Sequence, residues 1–224
     1  MDEPIVAGNN HRRRLYSGKV PRQQSIYGVH PSVALTQKWL AELKGKTGRA
    51  LEEWVALVKK SAPKDEKGRR EWLKEKHGLG TNYARFIAER AEGKGTETDS
   101  PEAYLAAAER YVEEMFGGAK AGLRPLYDEL LRIGLGLAPD VKACPCQTIV
   151  PLYRKHVFAQ IKPSTKTRLD LGFALGARRA EGRLISTGGF EKKDRITHRI
   201  PIESARDIDD EVKRWLRIAY EEDQ

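Results

Sequence analysis

The chain has 224 residues, 41 of them Lys or Arg against 32 Asp or Glu, for a formal net charge of +9. With 39% apolar residues and a mean hydropathy of -0.63, there is material for one large domain or two small ones, and no apolar run approaches the roughly 20 residues that span a bilayer. The positive surplus favours polyanionic partners through long-range attraction.

Residues 1–30 read as an extended or disordered basic tail. They carry Arg12, Arg13 and Arg14 and show little apolar pattern and no hydrophobic signal segment. A helical module is expected over 31–91. Leu35, Trp39, Leu40 and Leu43 form a first stripe, and Gly45 and Gly48 bracket a turn. Leu51, Trp54, Val55 and Val58 form a second helix, with acids early and lysines late as the helix dipole prefers. Pro63 ends it, Trp72 and Leu73 lie on a third helix, and Thr81 is the expected N-cap of a fourth. Residues 92–100, EGKGTETDS, lack a large apolar side chain and read as a linker.

An α+β domain is expected over 101–224. Ser100-Pro101 starts a helix, another runs from about Arg124, and then the period changes. Strands are expected near 141–144, 148–153, 156–162, 166–175 and 195–202. Thr167, Leu169, Leu171, Phe173 and Leu175 alternate with Lys166, Arg168 and Asp170, which demands one dry and one wet face. A last helix, about 205–220, carries Ile208, Val212, Trp215, Leu216 and Ala219 on one stripe. The fold expected is a small helical bundle followed by an antiparallel sheet of about five strands covered by flanking helices.

TGRALEEWVALVKKSAPKDEKGRREWLKEKHGLGTNYARFIA, residues 47–88, resembles a small helical domain of unknown function. LRPLYDELLRIG, CPCQTIVPLYRKHVFAQIKPSTKTRLDLGFAL, DRITHRIPI and DDEVKRWLRIAY resemble a second such domain, sometimes labelled a predicted transport protein. Together they are similar to bacterial two-module proteins, and the second module distantly resembles small α+β domains nicknamed iron chaperones. The resemblance implies the fold and the two modules, and no catalytic residues.

The chemistry suggested by the residues is anion binding. Lys162, Ser164, Thr165, Lys166 and Arg168 sit at one turn and strand, and Arg195 and Arg199 alternate with Ile196, His198, Ile200 and Ile202 on another. If the strands are neighbours, the cations share one wet sheet face suited to phosphate or carboxylate. The partner is then a nucleic acid, with Tyr153 and Phe158 as possible stacking platforms, or a small phosphorylated or carboxylated ligand. A small-molecule or metal carrier with a pocket under the sheet, and a docking module with an apolar patch around Trp39 or Trp54, are the alternatives. Helices joined by HGLGT invite comparison with a DNA-reading pair, in which Asn82 and Arg85, with Glu89 and Arg90, face outward. Cys144 and Cys146, separated by Pro145 alone, are too close for an unstrained disulfide and suit a reduced, cytoplasmic protein. They offer two thiolates to a soft metal, with His156 and His198 as further ligands. Asp170 with Glu191 and Lys193 matches the letters of a nuclease site, but in a Gly-rich loop. No set of converging titratable groups appears, so a non-enzymatic protein without cofactor is expected.

Overall fold

The computed structural model describes residues 25–224; the Arg12–Arg14 cluster lies outside the described residues. Four helices come first: α1 (Pro31–Thr47), α2 (Leu51–Ser61), α3 (Glu66–His77) and α4 (Thr81–Ala91). Apolar residues at helical spacing give each one dry face, and Leu43, Trp54, Val58, Leu73 and Ile87 meet in a common core. Trp54 is buried and Trp39 and Trp72 pack partly buried against it, so the tryptophans are core rather than a docking patch. α1 runs on through Gly45 and stops at Gly48, whose φ of +79° suits glycine. Its buried side holds Val33, Thr36 and Leu43, whereas Leu35 points out and is 47% exposed. Gly80, not Thr81, is the N-cap of α4, without a side-chain bond.

The segment between bundle and sheet is held by contacts that its composition hides. A single turn, Thr96–Thr98, follows Gly95, and Thr36 Oγ1 donates to Thr98 Oγ1 at 3.0 Å. Arg90 turns inward and bonds Asp99 and the Lys94 carbonyl. Ser100 Oγ then accepts from the Ala103 N–H and caps α5 (Pro101–Met115), as expected, and α6 (Arg124–Leu135) follows a short 3-10 turn. Residues 25–30, placed by their composition in the tail, dock beside the sheet. The Gly28 N–H donates to the Ala143 carbonyl at 2.9 Å, and a Cβ at Gly28 would fall 2.8 Å from the Lys142 side chain. Tyr27 and Tyr127 join through their hydroxyls at 3.0 Å.

Six antiparallel strands follow: β1 (Lys142–Ala143), β2 (Val150–Tyr153), β3 (Val157–Pro163), β4 (Leu169–Phe173), β5 (Ile185–Ser186) and β6 (His198–Ile202). Their order across the sheet is β1-β2-β3-β4-β6-β5. β5 is an edge strand of two residues, too short to show a period. In register, Ile161, Leu171 and Ile200 lie side by side on the dry face, as do Pro163, Leu169 and Ile202. All but Pro163 have no exposed surface, and Pro163 is also buried. α5, α6 and α7 (Asp210–Glu222) supply the apolar side chains that complete this core. Asp209 caps α7, and residues 205–207 form a separate 3-10 turn. No helix of the described residues is long and apolar enough to cross a membrane.

Just beyond α7, Asp223 ties three distant segments together. Only 2% exposed, it accepts from the His156 N–H at 2.8 Å, from His156 Nδ1 at 3.0 Å and from the Arg195 guanidinium. Burial works against its charge, but the His156 bonds and the Arg195 charge outweigh this and hold its carboxyl below the usual range. A carboxyl depressed in the fold binds fewer protons folded than unfolded. Its contribution is therefore complete above the unfolded pKa of about 4 and is lost as pH falls through the folded value. Asp223→Asn is expected to cost ~1–2 kcal/mol at neutral pH and to flatten the loss of stability below about pH 4. Urea melts between pH 3 and 7 check both; parallel acid limbs for variant and parent would contradict this role.

Candidate functional site

The basic residues singled out from the sequence do not assemble as one free surface. Asp170 stands at the centre of the group on the wet face, 16% exposed, with Lys162 as its cross-strand neighbour. Arg199 donates to its Oδ1 at 2.9 Å, Arg168 Nε lies 3.2 Å from the same oxygen, and Ser164 Oγ donates to Oδ2 at 2.6 Å. The Ser164 and Thr165 N–H groups close the turn onto the Arg168 carbonyl at 3.1 and 3.2 Å, so they are not free to cradle an anion. Lys166 is exposed in that turn, which occupies the first part of the expected strand. Arg195 is elsewhere: its Nε donates to the Val157 carbonyl at 2.9 Å, at the far end of β3, and its Nη2 to Asp223. The alternation that would align Arg195 with Arg199 breaks at Thr197. Thr197 is 3% exposed, and its Oγ1 accepts from the Leu175 N–H and contacts His198 Nδ1 at 2.9 Å. β6 begins only at His198, so no strand period carries Arg195 onto the face that holds Arg199.

Asn82 and Arg85 are exposed on α4, but Arg90, expected beside them, is buried. Phe158 has no exposed surface and is no stacking platform. Cys144 and Cys146 are free thiols, and burial pushes Cys144 up to about 12. Their proposed co-ligands lie apart from them: His156 bonds Asp223, and His198 sits in the core beside Thr197. Among the described residues no three His, Cys, Asp or Glu side chains are placed to hold a metal ion.

Two adjoining hollows, of about 360 and 460 Å³, form a groove along the edge of the wet face and share His30, Cys146 and Ile149. One reaches between α5 and the CPCQT segment, toward Tyr104, Tyr111 and Gln147; the other passes over Gln160 to Ile196 and Arg195. His30 and Ser32 at the start of α1, with Glu97 and Thr98, wall one hollow, and the Gly-rich loop 187–196 walls the other. The loop approaches closely because Gly172 has no side chain; a Cβ there would meet Ile196 Cγ2 at 2.7 Å and Gln160 Cγ at 3.0 Å. Loop 187–196 itself turns through Gly188, at φ +68°.

His30, whose neighbours by composition belong to the tail, is the pivot of the groove. It caps α1, accepting the Ser32 N–H on Nδ1 at 3.0 Å. A backbone N–H only donates, so Nε2 carries the ring proton and donates to Tyr153 Oη at 3.0 Å. Tyr153 stands edge-on to the ring, with centroids 5.5 Å apart. Burial lowers the pKa of His30, raises Cys146, and pushes Tyr153 up to about 12. Tyr104 Oη donates to the Pro145 carbonyl at 2.8 Å, which fixes the CPC turn. In the sequence His30 stands in His-Pro-Ser at a helix start, a capping pattern that says nothing about a groove.

Two domain families match the chain, one after the other: the domain of unknown function DUF4287 over residues 36–93 and the domain of unknown function DUF5655 over residues 112–223. No curated protein and no solved structure matches it. α6, the sheet with its groove floor and α7 fall within the second match, which takes in only the end of α5, and by it the chain belongs to the DUF5655 family.

Proposed function

We propose that this protein is a non-catalytic binder of a small, planar, largely uncharged organic molecule, held in the groove around His30 and Cys146. The observation that carries this reading is the concavity of the wet face at its His30 end, where a polyanion reader would present an open, flat surface. Hollows of this size, with mostly apolar walls and a few directed polar groups, are what small ligands occupy. The partly buried rings of Tyr153 and His30 offer faces, and the amides of Gln147 and Gln160 offer edges. The charged groups lining the two hollows are Glu97, Asp194 and the half-exposed Arg195, whose guanidinium is already on Asp223, so no positive surplus draws a polyanion there. Catalysis fits less well. The His30 nitrogens are both engaged, and burial raises the pKa of the Cys146 thiol and the Tyr153 phenol, which keeps both protonated and provides no thiolate or phenolate base.

The test is a thermal-shift panel of nucleobases, neutral aromatic amides and phenols, run on the full chain and on Cys146→Trp, which fills the wall common to both hollows. A compound at about 100 times its Kd adds ~2.7 kcal/mol, a rise of several degrees at this chain length. The rise is expected to vanish in Cys146→Trp while that variant melts within a few degrees of the parent. A shift that survives the substitution, or hits confined to phosphorylated polymers, would overturn the reading.

A further inference from the structure

Away from the sheet, a cleft between the end of α6 and the outer side of α7 is lined by a group of cations. Its volume is about 560 Å³; Arg132, Lys213, Arg214 and Arg217 line it against a single lining acid, Asp210. Ile133, Gly136 and Leu137 give it a mostly apolar floor. Three of the cations have exposed partners. Glu129 takes Arg132 through two bonds of 2.8 and 2.6 Å, Asp210 takes Lys213 at 3.1 Å, and Glu181 lies 3.5 Å from Arg214. Arg217 is exposed and has no ion pair among the described residues. Exposed pairs of this kind are weak and exchange readily for a better anion. The pairs around Asp170 and Asp223 differ, because there the carboxylates are 16% and 1% exposed and carry further bonds.

We infer that this cleft binds the phosphate backbone of a nucleic acid, independently of the small-molecule groove. Lys213 and Arg217 are one helical turn apart, about 6 Å along the axis. With Arg132 across the cleft and Arg214 beside them, the charge is strung out along a path rather than focused on a point. A single small anion would instead favour converging backbone N–H groups at a helix N-terminus. The end of α6 facing this cleft is its C-terminus, where carbonyls repel an anion that sits deep, and the N-terminal end of α7 at its rim is already capped by Asp209, with the acid Asp210 beside it. Long, exposed cations along a helix side suit a backbone that rides on the rim, with affinity from counterion release. An anionic membrane fits less well: the large apolar side chains exposed among the described residues are Ile26, Val29, Leu35, Ile185 and Phe190, none of which lines this cleft.

The experiment is fluorescence anisotropy of a labelled 20-base-pair duplex and a 20-base single strand with the full chain, from about 50 to 200 mM salt, the range over which counterion release is read. Four neutralised phosphates give a log–log slope of about -3.6 on the duplex and about -2.8 on the single strand. Lys213→Ala/Arg214→Ala/Arg217→Ala is expected to bring the duplex slope to about -1 and to weaken binding by more than tenfold. Because Arg214 lies over the Trp215 ring at 4.7 Å, the pair Lys213→Ala/Arg217→Ala keeps that stack and must move the slope in the same direction. Arg168→Ala/Arg199→Ala is expected to leave the slope unchanged. The inference is overturned if the parent does not bind, if the triple variant keeps the parent slope, or if the Arg168/Arg199 pair or an Arg12–Arg14 triple alanine variant removes the slope instead. It is equally overturned if the triple variant loses only phosphatidylserine vesicles and keeps the oligonucleotides.

Discussion

Arg90→Ala is expected to lower stability by ~3 kcal/mol and the melting temperature by roughly 6–12 °C. Arg90 is the buried cation that fastens the end of α4 to the start of α5. Its side chain is 5% exposed; Nη2 bonds Asp99, Nη1 donates to the Lys94 carbonyl at 2.9 Å, and its guanidinium carbon sits 4.8 Å from the Phe86 ring centre. Its approach depends on Gly95, where a Cβ would come 2.8 Å from Nη1 and where φ is +76°. Removing the side chain opens a void and leaves a carbonyl and a carboxylate without their donor. Asp99 is 39% exposed, so water recovers part of the loss, and we place the effect at the lower end of buried-pair deletions. Asp99→Asn behaves differently. Burial raises the pKa of Asp99 and the Arg90 charge only partly offsets it, so its charge contributes little, and asparagine keeps an acceptor oxygen. That variant is expected to cost ~1 kcal/mol. Urea melts of both variants, with hydrogen exchange at residues 92–100, decide the matter. An Arg90→Ala variant within 1 kcal/mol of the parent would show that the turn is fixed by something else.

Trp215→Ala is expected to cost ~3–5 kcal/mol, the largest single effect considered, with a fall in melting temperature of roughly 6–20 °C. Trp215 is 1% exposed on α7, the helix that packs across β3 and β4. The guanidinium carbons of Arg214 and Arg178 lie 4.7 and 5.9 Å from its ring, so the surface charge beside it is also partly shaped by this side chain. Alanine would leave a cavity over the middle of the sheet, where Leu171 and Ile161 have no exposed surface and little freedom to collapse into it. Trp215→Phe keeps most of the volume and is expected to cost ~1.5 kcal/mol. If alanine and phenylalanine cost the same, the ring does not fill the space assigned to it, and the account of how α7 covers the sheet fails.

Much of the architecture was written in the chain's periodicities. Leu169, Leu171 and Phe173 alternate with Asp170 and Gly172, and a strand places them on one dry face whatever its neighbours are. Val212, Trp215, Leu216 and Ala219 recur at helical spacing, and α7 buries all four. Ser100-Pro101 starts a helix because an accepting hydroxyl and a fixed φ are local properties. The basic face was not legible in this way, because a period tells which residues share a side only while the strand stays regular. β6 starts only at His198, Thr197 before it is turned inward onto the Leu175 amide, and Arg195 pairs with Asp223 while Arg199 pairs with Asp170.

Local chemistry thus determined the helices, the strand faces, the charge surplus and the absence of a membrane-spanning helix among the described residues. Tertiary structure alone decided which charges were neutralised and where a concavity formed. Residues 25–30 have no apolar period and acquire their place beside the sheet by docking: Gly28 against β1, Tyr27 on Tyr127, His30 on Tyr153. Asp170 and Asp223 are ordinary acids in the sequence, and each becomes the hub of an ion-pair group only when folding brings its partners within about 3 Å, since charge pairing depends on distance in space and burial rather than on separation along the chain.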